Sequence, residues 1–203
     1  MCSSDLDAML ESSPGRHGPL WWGMWEQLVR APSAGTFVDV GTGPGLLLGM
    51  LRARHPEGRV IGVEVQPEML AAARPLAAAC GAEILEADVA AGPLPLPDGT
   101  ADVVTAVHVF HELPFPPALL DEIFRLLKPG GVMVLYDWVK RPLAEYLEGG
   151  SLDEDTLEHF REHCLFSAED LEWMAERAGF HLRETVGRRG GRYVVVIAEK
   201  PAS

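Results

Sequence analysis

Apolar positions along the chain change period in a repeating order. Thr36–Val40 is a short apolar run closed by a glycine-rich turn, and Leu46–Arg52 then reads as a helix. Arg59–Glu64 is a second apolar run, followed by an alanine-rich helical stretch from Pro67 to Ala79. Pro67 suits a first helical turn, where a missing N–H costs nothing. Pro75, inside the stretch, predicts a kink or break. Glu83–Asp88 reads as a third strand, and the proline-rich Gly92–Thr100 as loop. Asp102–Val109 is nearly continuous in apolar character, the pattern of a strand buried on both faces of a parallel sheet. Pro116–Lys128 is helical and stopped by Pro129-Gly130-Gly131, ahead of a fifth strand at Val132–Tyr136.

Beyond Tyr136 the pattern changes. Residues 138–166 form an insert, acidic at Asp153-Glu154-Asp155, with a helix predicted over Leu152–Cys164. Ser167, with Glu169 and Asp170 behind it, opens a capped helix that ends at Gly179. His181–Val186 and Tyr193–Glu199 flank the turn Gly187-Arg188-Arg189-Gly190-Gly191, an antiparallel hairpin at the sheet edge. Ahead of the first strand, a polar, serine-rich start leads into Leu20–Val29, whose apolar spacing predicts a helix. Trp21, Trp22 and Trp25 sit in it; they read as a helix packed on the core or as a lid over a ligand. The expected organisation is an N-terminal helical or lid segment, 1–35, and one α/β domain, 36–203, carrying the insert. Alternating strands and helices give that domain a doubly wound sheet.

Composition narrows the class. The 203 residues suit one domain, given a usual size of about 100–200. Hydrophobic residues at 47% and charged residues at 23% exclude a disordered chain, a collagen-like chain and a disulfide scaffold. Thirty acidic against 17 basic residues leave a formal charge of −13. Such a chain repels phosphates and anionic membranes, so no nucleic-acid partner is expected beyond a local basic patch. Cys2, Cys80 and Cys164 form no CxxC pair, which points to a reducing compartment and no paired-cysteine zinc site. The start has neither a basic region nor an apolar run, so a secretory signal is not expected. No stretch approaches the roughly 18 apolar residues of a membrane span. A cytoplasmic protein without a membrane partner is expected.

The chemistry concentrates at Val38-Asp39-Val40-Gly41-Thr42-Gly43-Pro44-Gly45-Leu46, a loop that follows a strand and opens a helix. That context gives a glycine-rich loop meaning, because the backbone approaches a ligand closely and the helix N-terminus offers N–H groups. The spacing is GxGxG, and Leu46 occupies the last glycine position of the dinucleotide pattern. This argues against an NAD-dependent oxidoreductase. Asp39 would repel a diphosphate; it is read as orienting a cationic ligand or capping the loop amides. Glu64 ends the second strand, where an acid accepts both hydroxyls of a ribose, and Asp88 ends the third, where it accepts from an exocyclic amine.

With these residues in order, the sequence resembles class I S-adenosylmethionine-dependent methyltransferases, in particular the small-molecule branch similar to quinone-biosynthesis enzymes. The resemblance rests on Val38–Gly45, on Val60–Glu64 with Val65-Gln66-Pro67 through Arg74, on Ala87-Asp88-Val89 through Val104, and on Leu126–Val132. It spans roughly Phe37 to Lys200. It implies a Rossmann-like sheet of seven strands, mostly parallel with a C-terminal antiparallel hairpin. S-adenosylmethionine is the implied cofactor and S-adenosylhomocysteine the product. Gly41, Gly43 and Gly45, with Thr42 among them, would cradle the methionine portion, and Asp39 would support the loop and the ammonium. Glu64 would hold the ribose, Val65 and Gln66 would lie beside the adenine, Asp88 would take the adenine amine with Val89 next to it, and His108 would lie near the sulfonium.

Methyl transfer from a sulfonium is an in-line displacement carried mostly by positioning and desolvation, with no metal required. An oxygen or nitrogen acceptor can still need a base, and His111 is the first candidate. Its other reading is a packing or capping residue of that loop; His108, Glu112, Tyr136 and Asp137 follow it. Trp21, Trp22 and Trp25, with Tyr136 and the insert, would set a small-molecule substrate of apolar or aromatic character. His159-Phe160-Arg161-Glu162-His163 has the HxxEH spacing of some zinc peptidases, but a solvated or substrate-facing helix is the preferred reading. A catalytically inactive binder of the same cofactor, acting as a regulatory or partner subunit, is the alternative function. The acceptor atom and the oligomeric state are not set by the sequence.

Overall fold

The computed structural model describes residues 16–141 and 166–202. The predicted helix at 152–164, with His159, His163 and Cys164, lies outside the described residues.

Seven strands form one sheet: β1 (Thr36–Val40), β2 (Arg59–Glu64), β3 (Glu83–Glu86), β4 (Ala101–Val107), β5 (Leu127–Trp138), β6 (His181–Arg188) and β7 (Tyr193–Glu199). Their order is β3-β2-β1-β4-β5-β7-β6. β1 pairs parallel with both β2 and β4, and β7 pairs antiparallel with β5 and β6. The helices are α1 (Pro19–Met24), α2 (Leu46–Arg54), α3 (Pro67–Cys80), α4 (Pro117–Leu126) and α5 (Ala168–Arg177). The expected Rossmann-like architecture, hairpin included, is the one observed.

Two apolar layers cover the sheet. One packs α4 and α5 through Leu119, Ile123, Leu171 and Ala175. The other packs α2 and the N-terminal helix through Leu48, Leu51, Trp21, Trp22 and Trp25. Trp21 is 1% exposed, Trp22 9% and Trp25 4%, so all three pack in this layer. Trp25 donates to His55 Nε2 at 3.1 Å, and the Arg54 guanidinium sits 4.1 Å from the Trp22 ring. The chain leaves α1 through a π-helical turn, Trp25–Val29, that ends on Arg30 with a left-handed backbone.

Two local expectations need correction. Pro75 does not break α3, which runs unbroken through it. Arg74, Pro75 and Leu76 face solvent, so water can solvate the carbonyl that the proline leaves unbonded. The segment Lys128-Pro129-Gly130-Gly131 is the start of β5 rather than a plain stop. Gly130 adopts φ +79° and donates to Lys200 O at 2.8 Å, while Lys200 donates back to Gly131 O at 2.9 Å. Those bonds extend the sheet where a helix end was expected.

The capping at Ser167 is complete: Asp170 N donates to its Oγ at 3.2 Å, and Ser167 N donates to Asp170 Oδ2 at 2.9 Å. Ser167→Ala is expected to lower stability by about 1 kcal/mol. In thermal unfolding this appears as a drop in Tm of roughly 2–4 °C, and an unchanged Tm would mean that the cap contributes nothing.

Candidate active site

The chain steps outward from β1 to β2 and β3, then returns to β4 on the other side of β1. Open α/β sheets bind ligands at the carboxyl ends of the strands where such a reversal occurs. The loop Gly41–Gly45 leaves β1 at that point. Gly41, Gly43 and Gly45 have φ of +68°, +56° and +83°, a backbone that side chains disfavour. At Gly41 a Cβ would also lie 2.7 Å from a Val109 methyl, so the loop passes close under the end of β4. Thr42 N donates to Val63 O at 2.9 Å and ties the loop to β2.

Two buried acids hold the loop in different ways. Asp39 accepts from Thr42 Oγ1 at 2.7 Å and from Thr105 Oγ1 at 2.5 Å. It binds hydroxyls rather than the loop amides, which are one of its two readings from sequence. Burial pushes its carboxyl up to about 6, with the Glu64 charge adding to the rise and the two hydroxyls opposing it. The amide cap belongs to Glu64. Its Oε2 accepts from Gly43 N at 2.9 Å, and its Oε1 accepts from Val65 N at 2.8 Å and Gln66 N at 2.9 Å. Two carboxylates at one strand switch favour a cationic group beside them.

The other residues read as cofactor contacts line up along the same edge. Val65 is 45% exposed, an apolar surface directly beside Glu64. Ala87 N donates to Glu64 O at 3.0 Å and brings Asp88 next to it. Asp88 is exposed and accepts from Ala90 N at 2.8 Å; Val89 is half-buried. Arg16, His17, Asp39, Gly41–Pro44, Leu46 and Val107 line a cleft beside the glycine loop. The acids and the glycine loop fit an adenosine ligand with a cationic amino-acid tail.

The two histidines differ sharply. His111 lies 8% exposed in a short 3-10 turn, Phe110–Glu112. Its Nδ1 meets Asp137 Oδ1 and its Nε2 lies 3.3 Å from Glu112 Oε1. Burial opposes its charge, but hydrogen bonds and charge from Asp137 and Glu112 prevail and raise it to about 10. Its two carboxylate partners favour the charged ring, which accords with its other reading, a packed loop residue. His108 adopts φ +55°, and its main-chain N donates to Tyr136 O at 2.7 Å. Burial pushes its ring down to about 3, with the Asp137 charge opposing and Arg16, His111 and Arg189 adding to the fall. Its Nε2 is buried without a hydrogen-bond partner.

Tyr136, on β5, is 1% exposed. Its ring centroid lies 5.0 Å from His108 and 5.9 Å from Trp21. Of the three tryptophans read as substrate contacts, only Trp21 reaches this end of the sheet. Sequence reading missed Arg16, His17, Tyr193, Arg188 and Arg189. The last pair was visible as a double cation in the hairpin turn of an acidic chain, but antiparallel register was needed to bring that turn over β5. Trp138 pairs with Tyr193, so the β6–β7 turn lies at the carboxyl ends of the parallel strands. Among the described residues, no group of three or more His, Cys, Asp or Glu side chains is arranged to hold a metal. No described helix is long and apolar enough to cross a membrane.

Comparison with known proteins agrees with this geometry. A family model described as a methyltransferase domain matches residues 25–185. The demethylmenaquinone methyltransferase of Thermus thermophilus is 40% identical over 117 residues, which are 57% of this chain and 51% of that protein. The trans-aconitate 2-methyltransferase of Azoarcus sp. is 39% identical over 110 residues, 53% of this chain and 42% of that protein. The chain thus spans about half, or less, of the length of these curated relatives. A SAM-dependent methyltransferase from Aquifex aeolicus superposes with a TM-score of 0.76 at 24% identity, covering 98% of this chain and 99% of that one. That likeness shows the fold.

Proposed function

The chain belongs to the methyltransferase-domain family, and from that premise we propose that it transfers a methyl group from S-adenosylmethionine to a small-molecule acceptor. The observation that carries this reading is the left-handed glycine loop between the buried carboxylates of Asp39 and Glu64. When bound, S-adenosylmethionine supplies a methyl group on a positively charged sulfur, which departs as a neutral thioether when the acceptor's electron pair takes the methyl. Asp39 and Glu64 favour that positive charge. Gly41, Thr42, Gly43 and Gly45 hold the amino-acid tail, with Arg16 at the cleft wall facing its carboxylate. Glu64 accepts from the ribose through the one Oε2 lone pair that its three backbone contacts leave open. Val65, Gln66 and Val89 flank the adenine, and Asp88 accepts from its amine. The names of the relatives, one acting on demethylmenaquinone and one on trans-aconitate, support a small-molecule acceptor.

His108 is assigned to the acceptor. Burial holds its ring in the neutral form, and its buried Nε2 is left without a partner at the end of β4. It holds the acceptor by a hydrogen bond and is too weak a base to retain the proton. His111, charged and tied to Asp137, sets the loop that carries it. His108→Asn keeps a residue type that tolerates positive φ. Turnover is expected to fall by about ten- to a hundredfold with cofactor affinity far less changed. A matching fall in affinity would instead assign His108 to the cofactor.

The activity test is release of S-adenosylhomocysteine from S-adenosylmethionine across a panel of small acceptors that includes demethylmenaquinone and trans-aconitate. Release that depends on an acceptor supports the reading. Tight cofactor binding with no release for any acceptor would leave a binding protein in its place.

A further inference from the structure

Around the Tyr136 ring, three side-chain nitrogens are buried without a hydrogen-bond partner: Trp21 Nε1, His108 Nε2 and Arg188 Nη1. Folded proteins leave few buried polar groups unpaired, and a cluster of them calls for a cause. The indole and the guanidinium can only donate. The Arg188 Cζ is 5.9 Å from the Tyr136 ring, and the Arg189 Cζ is 5.6 Å from the Tyr193 ring. Tyr193 in turn stacks on His108, with centroids 5.1 Å apart and planes 15° apart.

Most of the charges around this cluster are cationic. Arg16 bears on Tyr136, Tyr193 and Arg189, and it also lines the cleft beside the glycine loop. Arg188 bears on His17. The carboxylate that acts on His108 is Asp137, and its oxygens are occupied by Phe110 N, Trp138 N and the His111 ring. No described carboxylate forms an ion pair with Arg188 or Arg189. A chain of net charge −13 has therefore gathered cations and unused donors at one aromatic-walled spot, at the strand ends and next to the cofactor cleft.

We propose that this cluster is the acceptor subsite and that the acceptor carries a carboxylate, held by Arg188 with Arg189 and the Trp21 N–H. The assignment rests on the methyltransferase reading. Guanidinium groups bind carboxylates through paired, charge-assisted hydrogen bonds that a neutral amide cannot reproduce. The aromatic walls of Trp21, Tyr193 and His108 suit a flat acceptor.

The test is calorimetric titration of the full chain, with and without S-adenosylhomocysteine. The probes are benzoate, 4-hydroxybenzoate and citrate, with benzamide and 4-hydroxybenzamide as neutral controls. At least one carboxylate is expected to bind about tenfold or more tightly than the amides, and more weakly as salt is raised. Arg188→Gln is expected to lose that preference while S-adenosylhomocysteine affinity holds within about twofold. Arg189→Gln, on the exposed turn, gives the same readout should Arg188→Gln fail to fold. Equal affinity for acids and amides, or no carboxylate binding, overturns the proposal and leaves the methyltransferase reading in place. A loss of S-adenosylhomocysteine affinity in Arg188→Gln overturns it by assigning the arginine to the cofactor. Carboxylate binding without any S-adenosylhomocysteine binding removes the acceptor assignment together with the methyltransferase reading.

Discussion

Asp137→Ala is expected to cost about 3–5 kcal/mol of stability, a large share of the roughly 5–15 kcal/mol that holds a domain folded. Asp137 is 1% exposed. Its Oδ2 accepts from Phe110 N at 2.8 Å, and its Oδ1 accepts from Trp138 N at 2.7 Å and from the His111 ring. Alanine strands the buried Phe110 amide, the partly buried Trp138 amide and the His111 ring, which will shed its proton to limit the loss. The pair also fixes how stability depends on pH. His111 rises from an ordinary 6.5 to about 10 in the folded chain. A raised folded value means that its stabilisation is complete below 6.5 and is lost as pH climbs through 10.

His17 and His108 act at the other end. Burial first, and neighbouring arginines after it, lower His17 to about 4, while His108 falls to about 3. The unfolded chain binds those protons below 6.5 and the folded chain does not, so stability drops as pH falls from there. Asp39, raised to about 6, partly offsets this drop by protonating in the folded chain first. Urea unfolding followed across pH should therefore show a maximum at about pH 6–7. In His111→Gln the alkaline decline should vanish while the acidic one remains. An alkaline decline that survives in His111→Gln would show that the pair does not carry it.

Glu64→Ala is expected to weaken S-adenosylhomocysteine binding by about a hundredfold or more. The carboxylate makes three hydrogen bonds to Gly43, Val65 and Gln66 and sets both the glycine loop and the start of α3. Each charged hydrogen bond is worth about 1.5–3 kcal/mol, and 1.4 kcal/mol is tenfold in affinity. The loss combines a loosened loop with a missing ribose acceptor. Glu64→Gln keeps the shape and gives up the charge, so it should fall between the two. Wild-type affinity in Glu64→Ala, measured by calorimetry, would take the acid out of the site.

Much of this was legible in the sequence because it depends on local order. The strand-loop-helix run from Val38 to Leu46 carries its own meaning, and Glu64 closes β2 as read, whereas β3 stops at Glu86, two residues short of its predicted end at Asp88. The hairpin around Gly190 and the cap at Ser167 are equally local. What escaped depends on pairing between distant segments. Asp137 and His111 are 26 residues apart, and nothing in either segment announces that the acid keeps the ring charged. Lys128–Gly131 reads as a helix stop until Lys200 bonds to it from the far end of the chain. Trp21 and Trp22 are neighbours with the same composition signal. Helical rotation sends one ring toward Tyr136 and sets the other beneath Arg54. Arg188 and Arg189 look like ordinary turn residues until the antiparallel register of β5 and β7 carries them over Tyr136 and Tyr193.

The central claim is that the glycine loop, Asp39 and Glu64 form a site for S-adenosylmethionine. Titration of the purified chain with S-adenosylmethionine, and separately with NAD, tests it most directly. The account predicts one-to-one binding of S-adenosylmethionine and no heat with NAD. Binding of NAD with no response to S-adenosylmethionine would contradict it.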